Sequence, residues 1–254
     1  IGPVVYRFTL AEAIGKCLVP FRYQPMFVYL NDEEEEEWLA LTERIRQLQF
    51  LADSSDSSTL DLLKIRRSAI VEGCLSKINR FRQHVGEIKN INNTLVFCSA
   101  KDANQLSMVN DCLSDLKITF HQVTGQETSS KATQGSIIKA FDQGIIEILT
   151  SMKVLDEGFN IPQTERAYFL SATSTTRIWI QRLGRVLRKS KSTKKSYATL
   201  IDFVVLPASH KKPFKKLLKS ELSRVQWFSA LCNNYNSEDG AAILVKQLID
   251  YMED

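Results

Sequence analysis

TLVFCSA (Thr94–Ala100), KDANQLSMVNDCLSDL (Lys101–Leu116) and ITFHQVTG (Ile118–Gly125) follow one another along the chain. A short apolar run ends in small polar residues, a longer amphipathic stretch follows, and a second apolar run closes the unit. Short β-branched and aromatic runs predict strands, and the periodic stretch between them predicts a helix. The alternation continues downstream. SSKATQGSIIKAFDQG (Ser129–Gly144) predicts a helix stopped by Gly144. IEILTS (Ile146–Ser151), RAYFLSA (Arg166–Ala172) and YATLIDFVV (Tyr197–Val205) predict three more strands, with the helix TTRIWIQRLGRVLRKS (Thr175–Ser190) before the last. Strands alternating with helices imply an α/β fold: a parallel sheet wrapped by helices on both faces, in three layers.

Working outward, residues 1–30 read as an extended lead-in. They carry a strand around Met26–Leu30, its start limited by Pro20 and Pro25. Residues 31–90 read as a helical hairpin or insertion. Asn31 or Asp32 caps the first helix, the glutamates after it favour its positive N-terminus, and Trp38, Leu41, Ile45 and Leu48 recur at helical spacing. That acidic run is read mainly as a solvated helix start, not a metal site. A polar loop at Ala52–Thr59 precedes a second helical pattern from Leu60 to about Val85. The α/β unit occupies 91–206, and a basic helical extension occupies 207–254.

The composition, 44% hydrophobic and 24% charged, is that of a soluble globular protein, and no apolar run approaches the ~20 residues that span a bilayer. No membrane partner is expected. The five cysteines and three histidines are scattered without metal or disulfide spacing, so no metal site is assigned and a reduced, cytoplasmic setting is expected. The chain opens on Ile1 without a signal-like pattern, which suggests a start inside a longer protein. The net charge of +4 is unevenly placed. Arg182–Arg224 holds thirteen Lys/Arg against Asp202 and Glu221, a segment charge of +11 that leaves −7 elsewhere. Such a block suits a polyanion, or simply a soluble surface.

In a parallel α/β sheet, ligands sit at the carboxyl ends of the strands. That rule points to Ser99–Lys101, Thr124–Gly125 and Thr150–Ser151. On a helical wheel for 177–190, Ile180, Leu183 and Leu187 fall on one face. Gln181, Arg185 and Arg188 fall nearly opposite, and Arg182 projects to a flank. Gly184 leaves a bare spot. The apolar face packs on the sheet and the Gln/Arg face points away. Guanidinium forks suit polyphosphate, but the same face would also serve as plain solvated surface.

QRLGRVLR (Gln181–Arg188) resembles motif VI of superfamily 2 helicases, Q/H-R-x-G-R-x-x-R. VLDEGFNIP (Val154–Pro162) resembles motif V in the branch of XPB-type helicases and the helicase subunits of type I and type III restriction enzymes. TLVFCSA resembles motif IV, and the opening GPVVYRFTLAEAI…LVPFRYQP…VYL resembles the stretch that joins the two motor domains there. The likeness covers residues 1 to about 205, with the motifs in family order.

That resemblance implies the second RecA-like domain of an ATP-dependent DNA helicase or translocase. DNA is the implied polymer, with RNA the alternative. ATP with Mg²⁺ would be held mainly by an N-terminal RecA-like domain of the same polypeptide. This chain has neither the Walker A loop nor the acidic box, so alone it is expected to be inactive. By matching, Arg185 and Arg188 are the arginine fingers and Gln181 approaches the γ-phosphate or the attacking water. Arg182 is expected to make a structural salt bridge. Glu157, Gly158 and Asn160 belong to the nucleotide side. Gly158 admits backbone approach, Glu157 is structural or couples the two ligands, and Asn160 stands where many relatives carry Asp. Pro162 fixes the loop exit. Ser99, Lys101, Thr124, Thr150 and Ser151 are the implied contacts to the nucleic-acid backbone, without base readout. The basic stretch Lys189–Lys219 extends that track or serves only solubility. The SAT at Ser171–Thr173 follows motif V and is read as a strand end feeding the arginine helix, with Ser174 or Thr175 as cap, not as motif III. Restriction or repair subunits would be the outside partners. The rival readings are a RecA-like module that grips nucleic acid or a partner without motor activity, and a dinucleotide- or nucleotide-sugar-binding domain. The missing G-x-G-x-x-G disfavours the last.

Overall fold

The computed structural model describes residues 8–51, 57–123, 130–152, 161, 163–171, 176–190, 195–208, 212–238 and 240–253. Six parallel strands form one sheet in the order β1-β6-β5-β2-β4-β3. They are β1 (Phe21–Tyr29), β2 (Thr94–Phe97), β3 (Phe120–Gln122), β4 (Ile148–Ser151), β5 (Arg166–Phe169) and β6 (Ala198–Leu206). The helices are α1 (Leu10–Ala13), α2 (Asp32–Leu51), α3 (Ser57–Gly73), α4 (Ser76–Glu87), α5 (Ala103–Asp115), α6 (Lys131–Asp142), α7 (Thr176–Val186), α8 (Lys215–Ser229) and α9 (Ala241–Glu253). None of the described helices is long and apolar enough to cross a membrane.

The sheet is covered on both faces, as an all-parallel sheet requires. Leu95, Phe97, Ala167, Phe169 and Leu200 face one core with residues of α6, α7, α8 and α9. Val96, Tyr168, Ile201 and Phe203 face the other, with α4, α5 and Trp38 of α2. The segments 1–30, 31–90 and 207–254 therefore feed the same two cores as 91–206.

β1 departs from the reading in length. It starts at Phe21 and runs straight through Pro25, which pairs in register with Asp202. Proline is tolerated because β1 is an edge strand, where one backbone donor is not needed for the ladder. That edge is covered. Asn233 N–H donates to the Phe21 carbonyl, and the Asn234 side chain accepts from Tyr23 N–H (2.8 Å) and donates to Tyr23 C=O (3.2 Å). A carboxamide thus stands in for one residue of a neighbouring strand and blunts the edge.

Asn31 is the cap of α2: its Oδ1 accepts from Glu34 N–H at 2.8 Å while Glu34 Oε2 accepts from Asn31 N–H at 2.9 Å. The acidic run is mainly solvated, as read, with one exception. Glu35 is buried and accepts from Ala208 N–H. The pattern from Leu60 to Val85 is two helices, broken after Gly73. A Cβ at Gly73 would come within 2.8 Å of the Asp102 carboxylate, which would have to move aside. The break lets α3 lie along α2 while α4 drops onto the sheet. α6 stops at Gly144 with φ +72°, as expected.

Asp202 is the one charged residue of β6. It is fully buried and accepts from Tyr23 Oη (2.8 Å) and Arg224 Nε (2.9 Å). Arg224 also grips Glu221 through both terminal nitrogens (2.6 and 2.7 Å), and Glu221 accepts from Val205 N–H (2.8 Å). Burial alone would pull the Arg224 pKa down, but Asp202 and then Glu221 hold it up, so the guanidinium stays charged. This network fastens α8 to the sheet.

Candidate nucleotide-facing helix and carboxyl-edge site

α7 carries the residues of the opening argument. Its buried stripe is Trp179, Arg182, Leu183 and Val186, continued by Leu187 just past its end. The wheel had put Ile180 on that face, but Ile180 is 43% exposed. Trp179 takes its place because the larger ring wins the packing. It meets Phe169 (4.9 Å, edge-on) and Phe228 (5.0 Å, edge-on). Arg182 is buried rather than on a flank. Its guanidinium lies 4.9 Å over the Phe97 ring and Nη1 donates to Ser171 C=O at 3.4 Å.

Gln181 is exposed and Arg185 is half-buried on the opposite side. Arg188 is exposed but lies beyond the helix, which ends at Val186 where the wheel had run to 190. The chain turns there because the lead-in captures it. Leu18 forms an antiparallel bridge with Arg188, and Val19 N–H donates to Leu187 C=O at 2.8 Å. The Lys195 ammonium closes the helix end, donating to Val186 C=O and, at 3.2 Å, to Arg188 C=O. Burial pulls its pKa down to about 8. The backbone from Val186 to Arg188 is therefore pinned by two segments, the lead-in and Lys195. Where Gly184 lacks a Cβ, nothing described lies within 4 Å. The sequence of α7 has no carboxylate, and Gln181, Gly184 and Arg185 lie along its outer side.

The carboxyl ends of β2 and β5 hold a second polar group. Ser99 is buried; its hydroxyl donates to Glu72 Oε2 (2.7 Å) and its N–H to Gln105 Oε1 (2.7 Å). Lys101 reaches Glu72 Oε1 at 2.6 Å and Ser68 Oγ at 2.8 Å, with 38% of its side chain exposed. Ser171 Oγ lies 3.5 Å from Glu72 Oε2. Lys77, fully buried, donates to Leu170 C=O (2.7 Å) and Glu72 C=O (3.2 Å), and burial lowers its pKa. Glu72, at the end of α3, thus anchors the helical insertion to the sheet. Neither Glu72 nor Lys77 was singled out in the sequence, and no local pattern marks them.

On β4, Thr150 is buried and its hydroxyl donates to Asn110 Oδ1 at 2.9 Å. Ser151 is also buried, and its Oγ has no hydrogen-bond partner among the described residues. Thr124, Glu157, Gly158, Asn160, Pro162, Ser174 and Thr175 lie outside the described residues. The structure brings Ser99 to Lys101 around Glu72, and gathers Gln181, Arg185 and Arg188 at α7 and its exit. Among the described residues there is no cluster of three or more metal-ligating side chains.

A parallel sheet of this order, with an acid-free arginine helix after β5, defines a RecA-like domain. Residues 76–190 match the family model of the helicase conserved C-terminal domain. The DNA 3'-5' translocase XPB2 of Sulfurisphaera tokodaii is 25% identical over 222 residues, 80% of this chain and 47% of the relative. The chain thus spans about half the length of the curated relative it matches. Two solved structures share the fold. The C-terminal part of the Fun30 ATPase domain gives a TM-score of 0.55 at 12% identity, covering 93% of this chain and 97% of that one. The Sulfolobus solfataricus SWI2/SNF2 ATPase core in complex with dsDNA gives 0.56 at 11% identity, covering 92% and 49%.

Proposed function

We propose that the chain is the C-terminal motor domain of an ATP-dependent DNA helicase or translocase. The observation that carries this reading is the α7 face. Gln181 and Arg185 stand on a helix whose own sequence carries no acid, nothing described lies within 4 Å of a Cβ at Gly184, and the backbone of Arg188 is held beside them by Leu18 and Lys195. That donor set fits a polyphosphate. Bound Mg²⁺-ATP, held mainly by an N-terminal RecA-like domain, supplies the phosphoryl group whose transfer to water powers movement. Arg185 and Arg188 neutralise the charge that grows on the transferring oxygens, and Gln181 orients the terminal phosphate or the water. Glu157, Gly158 and Asn160 complete the nucleotide side. Lys101, Thr124, Thr150 and Ser151 meet the nucleic-acid backbone, and Ser99 supports that edge through Glu72 and Gln105.

The test uses the full-length polypeptide and DNA-stimulated ATP hydrolysis. Arg185→Ala and Arg188→Ala are each expected to lower turnover by about 10³–10⁵ while largely sparing DNA binding. The 254-residue chain alone is expected to show no DNA-stimulated hydrolysis. Near-normal turnover in both variants overturns the finger assignment.

A further inference from the structure

A pocket of about 330 Å³ lies at the amino ends of β1, β6 and β5, on the α4 side of the sheet. Its floor follows from strand register. Thr199 of β6 pairs with Arg22 of β1 on one side and with Arg166 of β5 on the other. Paired residues of neighbouring strands project to the same face. Their chain neighbours Phe21, Tyr23, Ala198, Leu200 and Ala167 fill the core on the α7 side, so Arg22, Thr199 and Arg166 point the other way. The two arginine Cα atoms stand about 10 Å apart, two strand spacings, with the threonine between them. His84 near the end of α4, and Ile88 just past it, complete the wall. One pleat further in, Tyr168 Oη lies 2.8 Å from His84 Nδ1. Tyr168 is fully buried, and this nitrogen is the described acceptor for its hydroxyl hydrogen, which puts the ring proton on Nε2. Burial, then Arg80 and Arg166, lower the His84 pKa against the pull of Glu87, so the ring is neutral and presents an Nε2–H.

We propose that this pocket binds a small phosphomonoester. Two guanidinium forks, a hydroxyl and an imidazole N–H line it from four elements. A phosphoryl group offers three oxygens to such a set, whereas a planar carboxylate is satisfied by one fork. The charge around the pocket is positive. Its described lining includes no carboxylate. Glu87 is exposed and accepts from Gln83 Nε2 at 3.1 Å. Glu165, one residue before Arg166, faces the other side of the sheet, where it acts on Lys195. Arg166 is fixed in place, its Nη1 donating to Asn90 C=O (3.1 Å) and Thr94 Oγ1 (3.4 Å). Two like charges thus share one small pocket, a cost that a bound anion removes. The volume argues for an organic body on the phosphate. It is roughly eleven times the share of one water in the liquid, so a bare oxyanion would leave most of it to solvent. Ile88 and the ring of Tyr197, 50% exposed, supply apolar wall for that body. Ser99, Lys101, Thr150 and Ser151 stand at the opposite ends of the strands, and α7 covers the opposite face. The pocket is therefore separate from both sets of proposed contacts and does not rest on the proposed function.

The experiment titrates the chain with glucose 6-phosphate, inorganic phosphate and gluconate by isothermal calorimetry, while NMR follows the histidine ring nitrogens. Glucose 6-phosphate is expected to bind more tightly than the other two and to shift the His84 signals, assigned by their loss in His84→Gln. Arg22→Gln should weaken glucose 6-phosphate about tenfold to a hundredfold, the worth of a hydrogen bond to a charged group. Thr199→Val keeps the shape without the hydroxyl and should weaken it severalfold. Thermal melts check that each variant folds; should Arg22→Gln fail to, Thr199→Val and the His84 shift of the unaltered chain still decide. Unchanged affinity in Thr199→Val together with unmoved His84 signals overturns the site. So does binding that survives Arg22→Gln and is lost in Arg185→Ala, which would put the phosphate on α7 instead. Inorganic phosphate or gluconate binding as tightly as glucose 6-phosphate overturns the ligand class, and no binding of any of the three overturns the proposal outright.

Discussion

Gly184→Ala separates what the fold needs from what the motor needs. Glycine inside a helix costs about 0.8–1.0 kcal/mol relative to alanine. Gly184 sits mid-helix in α7 between the buried Leu183 and the half-buried Arg185, and an added methyl would meet no described atom within 4 Å. The fold gains nothing from leaving that carbon off. The substitution should therefore stabilise the chain by close to 1 kcal/mol, a rise in Tm of about 2–4 °C for a domain of this size. In the full-length polypeptide the same methyl would stand among Gln181, Arg185 and Arg188, on the face proposed to meet nucleotide and N-terminal domain. DNA-stimulated turnover should then fall at least tenfold, since a misplacement of about 1 Å can cost a hundredfold. Differential scanning calorimetry on the chain and steady-state hydrolysis on the whole protein read the two effects separately. A lower Tm would refute the open-space reading of Gly184. A higher Tm with undiminished turnover would refute the docking of this face.

Two further predictions concern the frame that holds the site. Arg224→Met strands Asp202 and Glu221, 0% and 2% exposed, without their cation. Breaking a buried pair this way costs about 3–5 kcal/mol, to be read from urea unfolding, and a loss under 1 kcal/mol would deny the network its structural role. Lys195, with a folded pKa of about 8 against 10.5 for the ordinary group, sheds its proton earlier in the folded chain than in the unfolded one. Between those values the unfolded chain binds more protons, so stability should rise with pH, by up to about 3 kcal/mol. Thermal melts from pH 7.5 to 10 should show that rise relative to Lys195→Met, and parallel profiles would show that Lys195 titrates normally.

The sheet was legible because its information is local. Each strand after Asn93 is a compact apolar run bounded by helix-length stretches, and the all-parallel order follows from that alternation. β1 was half-visible. Pro25 argued against a strand there, and only its place at the sheet edge, a tertiary fact, removes the objection. The carboxyl-edge rule pointed to Ser99 and Lys101 but not to what holds them. Glu72 lies 27 residues before Ser99, in a helix whose periodicity has no visible tie to the sheet. Buried polar partners of this kind are fixed by packing, and a single sequence carries no sign of them.

The same distinction explains where the helical wheel failed at α7. A wheel ranks faces by hydrophobic count, and by that measure Ile180, Leu183 and Leu187 belong together. The fold instead ranks them by the area each buries, and Trp179 against Phe169 and Phe228 outweighs Ile180. Once Trp179 is inside, Arg182 must follow one turn later. Its burial is tolerated because Phe97 offers a ring face and Ser171 a carbonyl. The three arginines thus differ by environment rather than by spacing. Arg182 is held within the fold, Arg185 rides on the helix, and Arg188 stands on a backbone gripped by Leu18 and Lys195. A finger must reach the same point in each catalytic cycle, and rigid support is what makes that possible. The lead-in before β1 and the lysine after α7 are therefore parts of the proposed site, although neither carries a motif residue.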